Sequence, residues 1–342
     1  MTRFLSPLLL SSALMAEPAI RPYATGTVDY FSVLDGGLRS GDSVMGLLEI
    51  GVEADLGWKD TTLTLSAFSG HGTDFTARFA GDAGVVSNIY SPYDFNIFHI
   101  ALQKNFGESF LKLGQIAVDD DFMGSDAAGL FINSTFGPLN TQSLNTAAPI
   151  FPLAAPGIVY HHAANDDFTF TFGAYAGDLG GDDLNDRGFD WRLGGSAGYA
   201  FFAEGAWQAS QDTTAKLGGY YHSGDDLGAV YGIIDHSLTD NISAFARASV
   251  VTEKDRATAS TYFDGGIVFH ETLGLGVSHT DFADDYLATT PGVSSSETII
   301  ELTYLIALND HFTLQPDVQY ILNAHEANRD TLVAGLRGQF NF

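Results

Sequence analysis

Few residue patterns in this 342-residue chain offer covalent chemistry. Gly194-Gly195-Ser196-Ala197-Gly198 spells G-x-S-x-G, which serves a serine nucleophile only on a strained strand-to-helix elbow. Here it lies in Gly-rich sequence that runs into an alternating strand. His161 and His162 are adjacent, so strand alternation sends them to opposite faces and they cannot share one metal. The acidic stretch Asp178, Asp182, Asp183, Asp186 and Asp190 resembles a calcium loop in composition. Its spacing fails, because Arg187 stands where an oxygen ligand belongs. There is no HExxH and no cysteine, which removes zincin, thiolate and disulfide chemistry. What remains is charge and hydrogen bonding by carboxylates, amides, hydroxyls and a few cations. With 42 acidic against 15 basic residues the formal charge is −27, a field that disfavours nucleic acid as a partner and favours cations.

The elements that position these groups read as strands with two solvents. In 48–56, Leu48, Ile50, Val52, Ala54 and Leu56 alternate with Glu49, Glu53 and Asp55. In 312–322, Phe312, Leu314, Val318, Tyr320 and Leu322 alternate with Thr313, Gln315, Asp317 and Gln319. A charge on a lipid-facing strand position costs roughly 2–4 kcal/mol near the bilayer midplane, so confinement of charge to one parity points to lipid outside and water inside. Glu204 and Glu301 share the inward parity, as do Lys112, Lys216, Arg247 and Arg337, which either oppose the acidic long connection with Asp119 to Asp121 and set up a transverse field or pair with lumen carboxylates such as Glu49 or Glu301. A bulge near Gly114 would make Lys112 and Gln115 compete for one inward position. His99, also inward, suits a hydrogen-bonding role. The final run, Leu332 to Phe342, alternates in the same way and ends on an aromatic residue, as the closing strand of an outer-membrane barrel does.

About sixteen such segments follow one another, bounded by turn residues. Seven connections are short and polar, and most of those between them are longer, the longest spanning 118–156. That asymmetry expects a one-domain antiparallel barrel with periplasmic turns and extracellular loops. Mean hydropathy is only +0.06 and no run of about 18 apolar residues occurs, so a helical membrane protein is excluded. Met1 to Ala16, with Arg3, an apolar stretch and small residues, reads as a signal peptide for export, leaving 17–342 as the barrel. Trp58 reads as an interface anchor near the turn end.

Three stretches resemble the carbohydrate-selective porin family, OprB. They are Gly46 through Trp58 to Ile89; Leu113-Gly114-Gln115-Ile116-Ala117-Val118-Asp119-Asp120-Asp121-Phe122 with Gly129 to Gly137; and Glu297 through Tyr304, Leu314 to Tyr320 and Gly335-Leu336-Arg337. The resemblance implies an all-β, sixteen-stranded transmembrane barrel in the outer membrane of a Gram-negative bacterium, passing sugars without cofactor or catalysis. It also implies that the third long loop folds into the lumen, with Asp119, Asp120, Asp121, Asn133 and Ser134 at the constriction or tying the loop to the wall. Carboxylates and amides there would replace part of a sugar's hydration shell. A general diffusion porin with cation preference is the alternative. Expected partners are sugars or small hydrophilic solutes, outer-membrane lipid and lipopolysaccharide, the barrel insertion machinery and a homotrimer. The chain departs from the family pattern at Ile97, Ile100 and Leu305, which are aliphatic where charged lumen residues are expected, and at Asn323-Ala324-His325, where Asn-Pro-Gly is expected.

Overall fold

Each alternating segment of the sequence is a strand in the computed structural model, which describes residues 19–58, 60–177, 187–189, 191 and 193–342. The expected signal peptide, and Asp178, Asp182, Asp183, Asp186 and Asp190, lie outside the described residues. In chain order the strands are β1 (Ile20–Gly36), β2 (Gly41–Asp55), β3 (Thr61–Gly72), β4 (Asn96–Phe106), β5 (Ser109–Ile116), β6 (Ala155–Ala163), β7 (Phe168–Ala176) and β8 (Tyr199–Ser210). They continue as β9 (Thr213–His222), β10 (Leu227–Thr239), β11 (Ile242–Val251), β12 (Ala259–Phe269), β13 (Leu273–Phe282), β14 (Ser296–Tyr304), β15 (Phe312–Ala324) and β16 (Arg329–Asn341). A short piece, Ile306–Ala307, resumes β14 after a break at Leu305, and both pieces pair with β15. The seventeen hydrogen-bonded segments therefore make sixteen crossings.

Every strand pairs antiparallel with its sequence neighbours, and β1 closes the barrel against β16, from Thr25 opposite Asn341 to Gly36 opposite Thr331. Closure satisfies every edge, which a sheet in lipid requires. Outward positions carry the exposed apolar residues: Leu48, Ile50, Phe312, Val318, Tyr320 and Leu336 are open to the surroundings, while Gln315, Asp317 and Gln319 are buried on the inner side. Trp58 stands exposed at the turn end.

The inner face is not uniformly polar. Phe31, Val33, Met45, Ile321 and Val333 point inward and are buried against Phe75, Phe79 and Val86 of segment 73–95. A second apolar cluster joins Tyr175, Phe202, Tyr231 and Tyr262 to Val118, Phe122, Met123 and Leu139 of segment 117–154. Apolar inward positions thus occur where a long connection packs on the wall, since that backbone needs buried area to offset its ordering entropy.

Candidate functional site: the barrel interior

Segment 117–154, which joins β5 to β6, is held by inward side chains of distant strands. The Glu301 carboxylate on β14 accepts the backbone N–H of Ile132 at 2.6 Å and of Asn133 at 3.0 Å. Asn133 in turn donates its amide to Gln319 Oε1 at 2.9 Å and accepts from Thr135 N–H at 3.0 Å. Gln315 donates to Leu130 O at 2.8 Å and Gln319 to Asp317 Oδ1 at 2.9 Å. Phe131 settles on a patch of bare backbone: a Cβ on Gly274 or Gly276 would stand 3.0 or 2.8 Å from its ring. Only glycine permits that approach, and Phe131 stacks there against Phe136 at 4.5 Å between centroids.

A second anchor is Arg247 on β11. Its guanidinium pairs with the buried Asp264 carboxylate, with Nε at 3.0 Å from Oδ1, and donates to Met123 O at 3.1 Å and Gly137 O at 2.6 Å. Tyr262 donates to Asp264 Oδ2 at 2.8 Å. Glu204 accepts from Met123 N–H at 3.0 Å and Tyr231 Oη at 2.9 Å, Lys216 donates to Gly124 O at 2.8 Å, and Ser125 bonds Asp235. Asn140 donates to Thr280 Oγ1 at 2.9 Å, and the Thr141 and Ser249 hydroxyls bond at 2.6 Å. With the Tyr262 hydroxyl of β12 donating to Thr135 O, the segment between Leu130 and Thr141 thus contacts β11 through β15.

At the start of the segment three carboxylates are treated differently. Lys112 Nζ donates to Asp121 Oδ1 at 2.7 Å. Asp120 Oδ2 lies 2.9 Å from His99 Nε2, whose other nitrogen meets Ser66 Oγ at 3.0 Å. Asp119 Oδ2 accepts from Phe151 N–H at 3.4 Å, and its Oδ1 is buried without a partner. Burial and the adjacent Asp120 carboxylate push the Asp119 carboxyl up to about 7. Burial acts to raise Asp120 as well, but His99 and Lys112 outweigh it and hold this carboxyl below its ordinary range. Burial raises Asp121 despite Lys112. Of the three, Asp120 is the most open, its side chain 32% exposed.

Several expectations change here. Lys112 and Gln115 do not compete, because Gly114 at φ +140° breaks the alternation and turns both inward; a Cβ there would stand 2.0 Å from Ile100 O. Gln115 is fully buried, donating to Ile97 O at 2.7 Å and Phe98 O at 3.1 Å. The inward cations do not pair with Glu49 or Glu301: Lys112 takes Asp121, Arg247 takes Asp264, and Arg337 takes Asp29 with both contacts at 2.8 Å. Asn133, Gln115, Glu301, Arg247 and Asp317 are all buried, so none presents a side chain to open water. Packing decides this: loop backbone takes up Glu301 and Arg247, the β4 carbonyls take up Gln115, and Asp317 is sealed beside Gln319 with one carboxylate oxygen unpartnered. Ser134 is partly buried in the turn capped by Asn133, and Glu49 remains half-buried beside the Tyr23 hydroxyl at 3.3 Å.

Alternation alone did not single out Asp29, Asp264 or Glu297. Asp29 is buried between Arg337 and Ser87 Oγ, and Glu297 accepts the N–H groups of Ala83, Gly84 and His325, tying segment 73–95 to the wall. Asp29 and Asp264 sit on the inward parity of strands with outward Tyr30 and Phe263, a signal present in the sequence. Arg337 also donates to the exposed Asn88 Oδ1 at 2.7 Å. Ile97 and Ile100 flank the irregularity where β3 pairs with β4, and Leu305 is the break in β14. Ser196 lies exposed in a single 3-10 turn leading into β8, not on an elbow. His161 bonds Thr171 at 2.9 Å while His162 meets Tyr160, consistent with opposite faces. Among the described residues no cluster of metal-ligating side chains occurs.

The fold has known counterparts. The high-pH structure of Pseudomonas putida OprB superimposes with a TM-score of 0.81 at 17% identity, covering 94% of each chain. The outer membrane channel DcaP of Acinetobacter baumannii gives 0.61 at 14% identity over 98% of this chain and 100% of that one. A mutant of the Rh. blastica porin gives 0.58 at 11% identity over 95% and 100%. No curated protein matches the sequence. The profile of the family described as "Carbohydrate-selective porin, OprB family" matches residues 42–228 and 227–342, nearly all of the barrel. The chain therefore belongs to the OprB family of carbohydrate-selective porins.

Proposed function

We propose that this outer-membrane porin passes carbohydrates and other small hydrophilic solutes by passive diffusion, with segment 117–154 lying in the lumen as its constriction. Family and fold are those of a channel rather than an enzyme. The observation that carries the reading is the division of labour in the interior. Asn133, Glu301 and Arg247 are spent on holding the segment and Gln115 and Asp317 are sealed in the wall, whereas Asp120, Lys112, Glu49 and Arg337 keep partial exposure. We assign that second set to the water path, where carboxylate acceptors and cationic donors meet sugar hydroxyls. Export to the outer membrane and a homotrimeric assembly belong to the same proposal. The test is ion current through single channels in a planar bilayer while maltose or glucose is titrated. Saturable current block is expected; a decrease that follows only bulk viscosity would sink the sugar preference.

A second reading, general diffusion with cation preference, is favoured by one observation. Three of the inward cations, Lys112, Arg247 and Arg337, are paired with carboxylates, the Arg247 side chain being 1% exposed, and Lys216 donates to Gly124 O, while Asp120 at 32% is the most open of the three carboxylates at the start of the segment. Reversal potential in a salt gradient separates it: cation selectivity with no sugar block supports this second reading.

A further inference from the structure

Rings on the inner wall lie over bare glycine backbone where a Cβ would collide with them: Phe31 over Gly335, Tyr175 over Gly157, Tyr231 over Gly218, Phe245 over Gly266 and Tyr23 over Gly51. Phe31, Tyr175, Tyr231 and Phe245 are at most 4% exposed, because a long connection covers them. Phe75 lies 5.9 Å from Phe31 between centroids, Phe131 lies 5.9 Å from Phe245, and Phe122 and Met123 pack in one cluster with Tyr175 and Tyr231. Tyr23 has no such cover. It belongs to none of the buried apolar clusters of the described residues and keeps partial exposure.

The position of this ring relates it to the start of segment 117–154. Tyr23 and Ser66 stand on either side of Gly51, in register on β1, β2 and β3. A Cβ on Gly51 would stand 2.2 Å from Tyr23 Cζ, so glycine is what lets the ring tip lie against the wall. His99 of β4 extends the row through Ser66 Oγ at 3.0 Å, and Asp120 ends it at 2.9 Å from His99 Nε2. Two strand spacings, roughly 10 Å, separate β2 from β4, which leaves room for a sugar ring between Tyr23 and Asp120. The Tyr23 hydroxyl donates to Glu49 Oε1 at 3.3 Å, whereas Glu53 and Asp55 are taken by Arg21. An uncovered aromatic face thus shares its level of the lumen with carboxylate acceptors.

We infer that Tyr23 is a stacking platform for a pyranose in transit and sets a preference for cyclic sugars over open-chain polyols; the inference rests on the sugar reading proposed above. A pyranose has apolar C–H faces and a rim of hydroxyls. Its C–H groups meet the negative face of the Tyr23 ring, and its rim donates to Asp120 and Glu49. An open-chain polyol offers the same hydroxyls without a rigid apolar face, so it gains from the carboxylates and not from the ring.

The test is current block of the full chain in planar bilayers by glucose and by glucitol, its open-chain hexitol. The unmodified channel is expected to be blocked at a lower concentration of glucose than of glucitol. Tyr23→Leu should raise the half-blocking glucose concentration about fivefold and erase the preference, while Tyr23→Phe, which keeps the ring, should retain it. Gly51→Ala, which displaces the ring from the backbone, should weaken glucose block with Tyr23 still in place. Heat modifiability and potassium chloride conductance verify that each variant is folded. Equal block of the unmodified channel by both solutes would overturn the inference alone, as would undiminished glucose block in folded Tyr23→Leu. An equal loss in Tyr23→Phe and Tyr23→Leu would also overturn it, by assigning the effect to the hydroxyl. Absence of saturable block by either solute in the unmodified channel would sink the sugar reading along with it.

Discussion

The Glu301 carboxylate accepts the backbone N–H of Asn133 at 3.0 Å, so a side chain of β14 fixes the middle of a connection that begins at β5. Its other oxygen takes Ile132 N–H, and the carboxylate is fully buried. Glu301→Ala would orphan two buried donors, at about 1–3 kcal/mol each. We expect larger and noisier single-channel currents from a segment no longer held to the wall, with the barrel still closed. Unchanged conductance and noise in bilayer recordings would contradict this.

Arg247 and Asp264 form an ion pair with side chains 1% and 0% exposed. Removing one partner of such a pair strands the other charge, which costs about 3–5 kcal/mol. Arg247→Ala is therefore expected to lower the temperature at which the barrel unfolds on a heat-modifiability gel, and Arg247→Met with Asp264→Leu to recover much of the loss.

Asp119 sets a pH dependence. Its carboxyl is pushed up from 3.8 to about 7, so between these values the folded chain keeps a proton that the unfolded chain has released. This contribution to stability is full below about 4, declines as pH rises and is exhausted near 7. Asp119→Asn keeps a neutral group in place and should flatten the stability profile between pH 4 and pH 7 in urea titrations, with the variant gaining on the unmodified chain at the upper end. Parallel profiles would count against the assignment.

Asp120 is predicted to dominate ion selectivity near the start of the segment. A unit charge about 8 Å away in water is worth ~0.5 kcal/mol, roughly a twofold change in local cation concentration. Asp120→Asn should lower the cation-to-anion permeability ratio by about that factor, and high salt should erase the difference. Asp121→Asn, which frees Lys112, should shift the ratio in the same direction. Reversal potentials in a potassium chloride gradient measure both.

Gly276 tests the seating of Phe131. A Cβ there would stand 2.8 Å from the ring, so Gly276→Val should lift the segment from β13 and raise conductance. Phe131→Ala, which removes the ring instead, should partly relieve the double variant.

Strand number, order and the lipid face were legible from alternation, because each outward position meets one solvent and the period of two is local to the strand. Leu48, Ile50, Val318 and Leu336 all lie where their parity puts them. The inner face was only half legible. Inward parity is shared by Glu49, which stays half open, and by Glu301, which is sealed, and nothing in either strand distinguishes them. The difference is made by a connection far away in the chain, whose N–H groups find one carboxylate and not the other. For the same reason Arg247 pairs with Asp264 and Arg337 with Asp29, partners set by strand register rather than by charge pattern. Gly114 was legible as an irregularity, but only its positive φ decides that Lys112 and Gln115 both turn inward. Hydropathy along the chain thus determined the barrel, since burial against lipid is a local transfer free energy. The identity of the groups left facing water depended on long-range packing, and only the tertiary structure decided it.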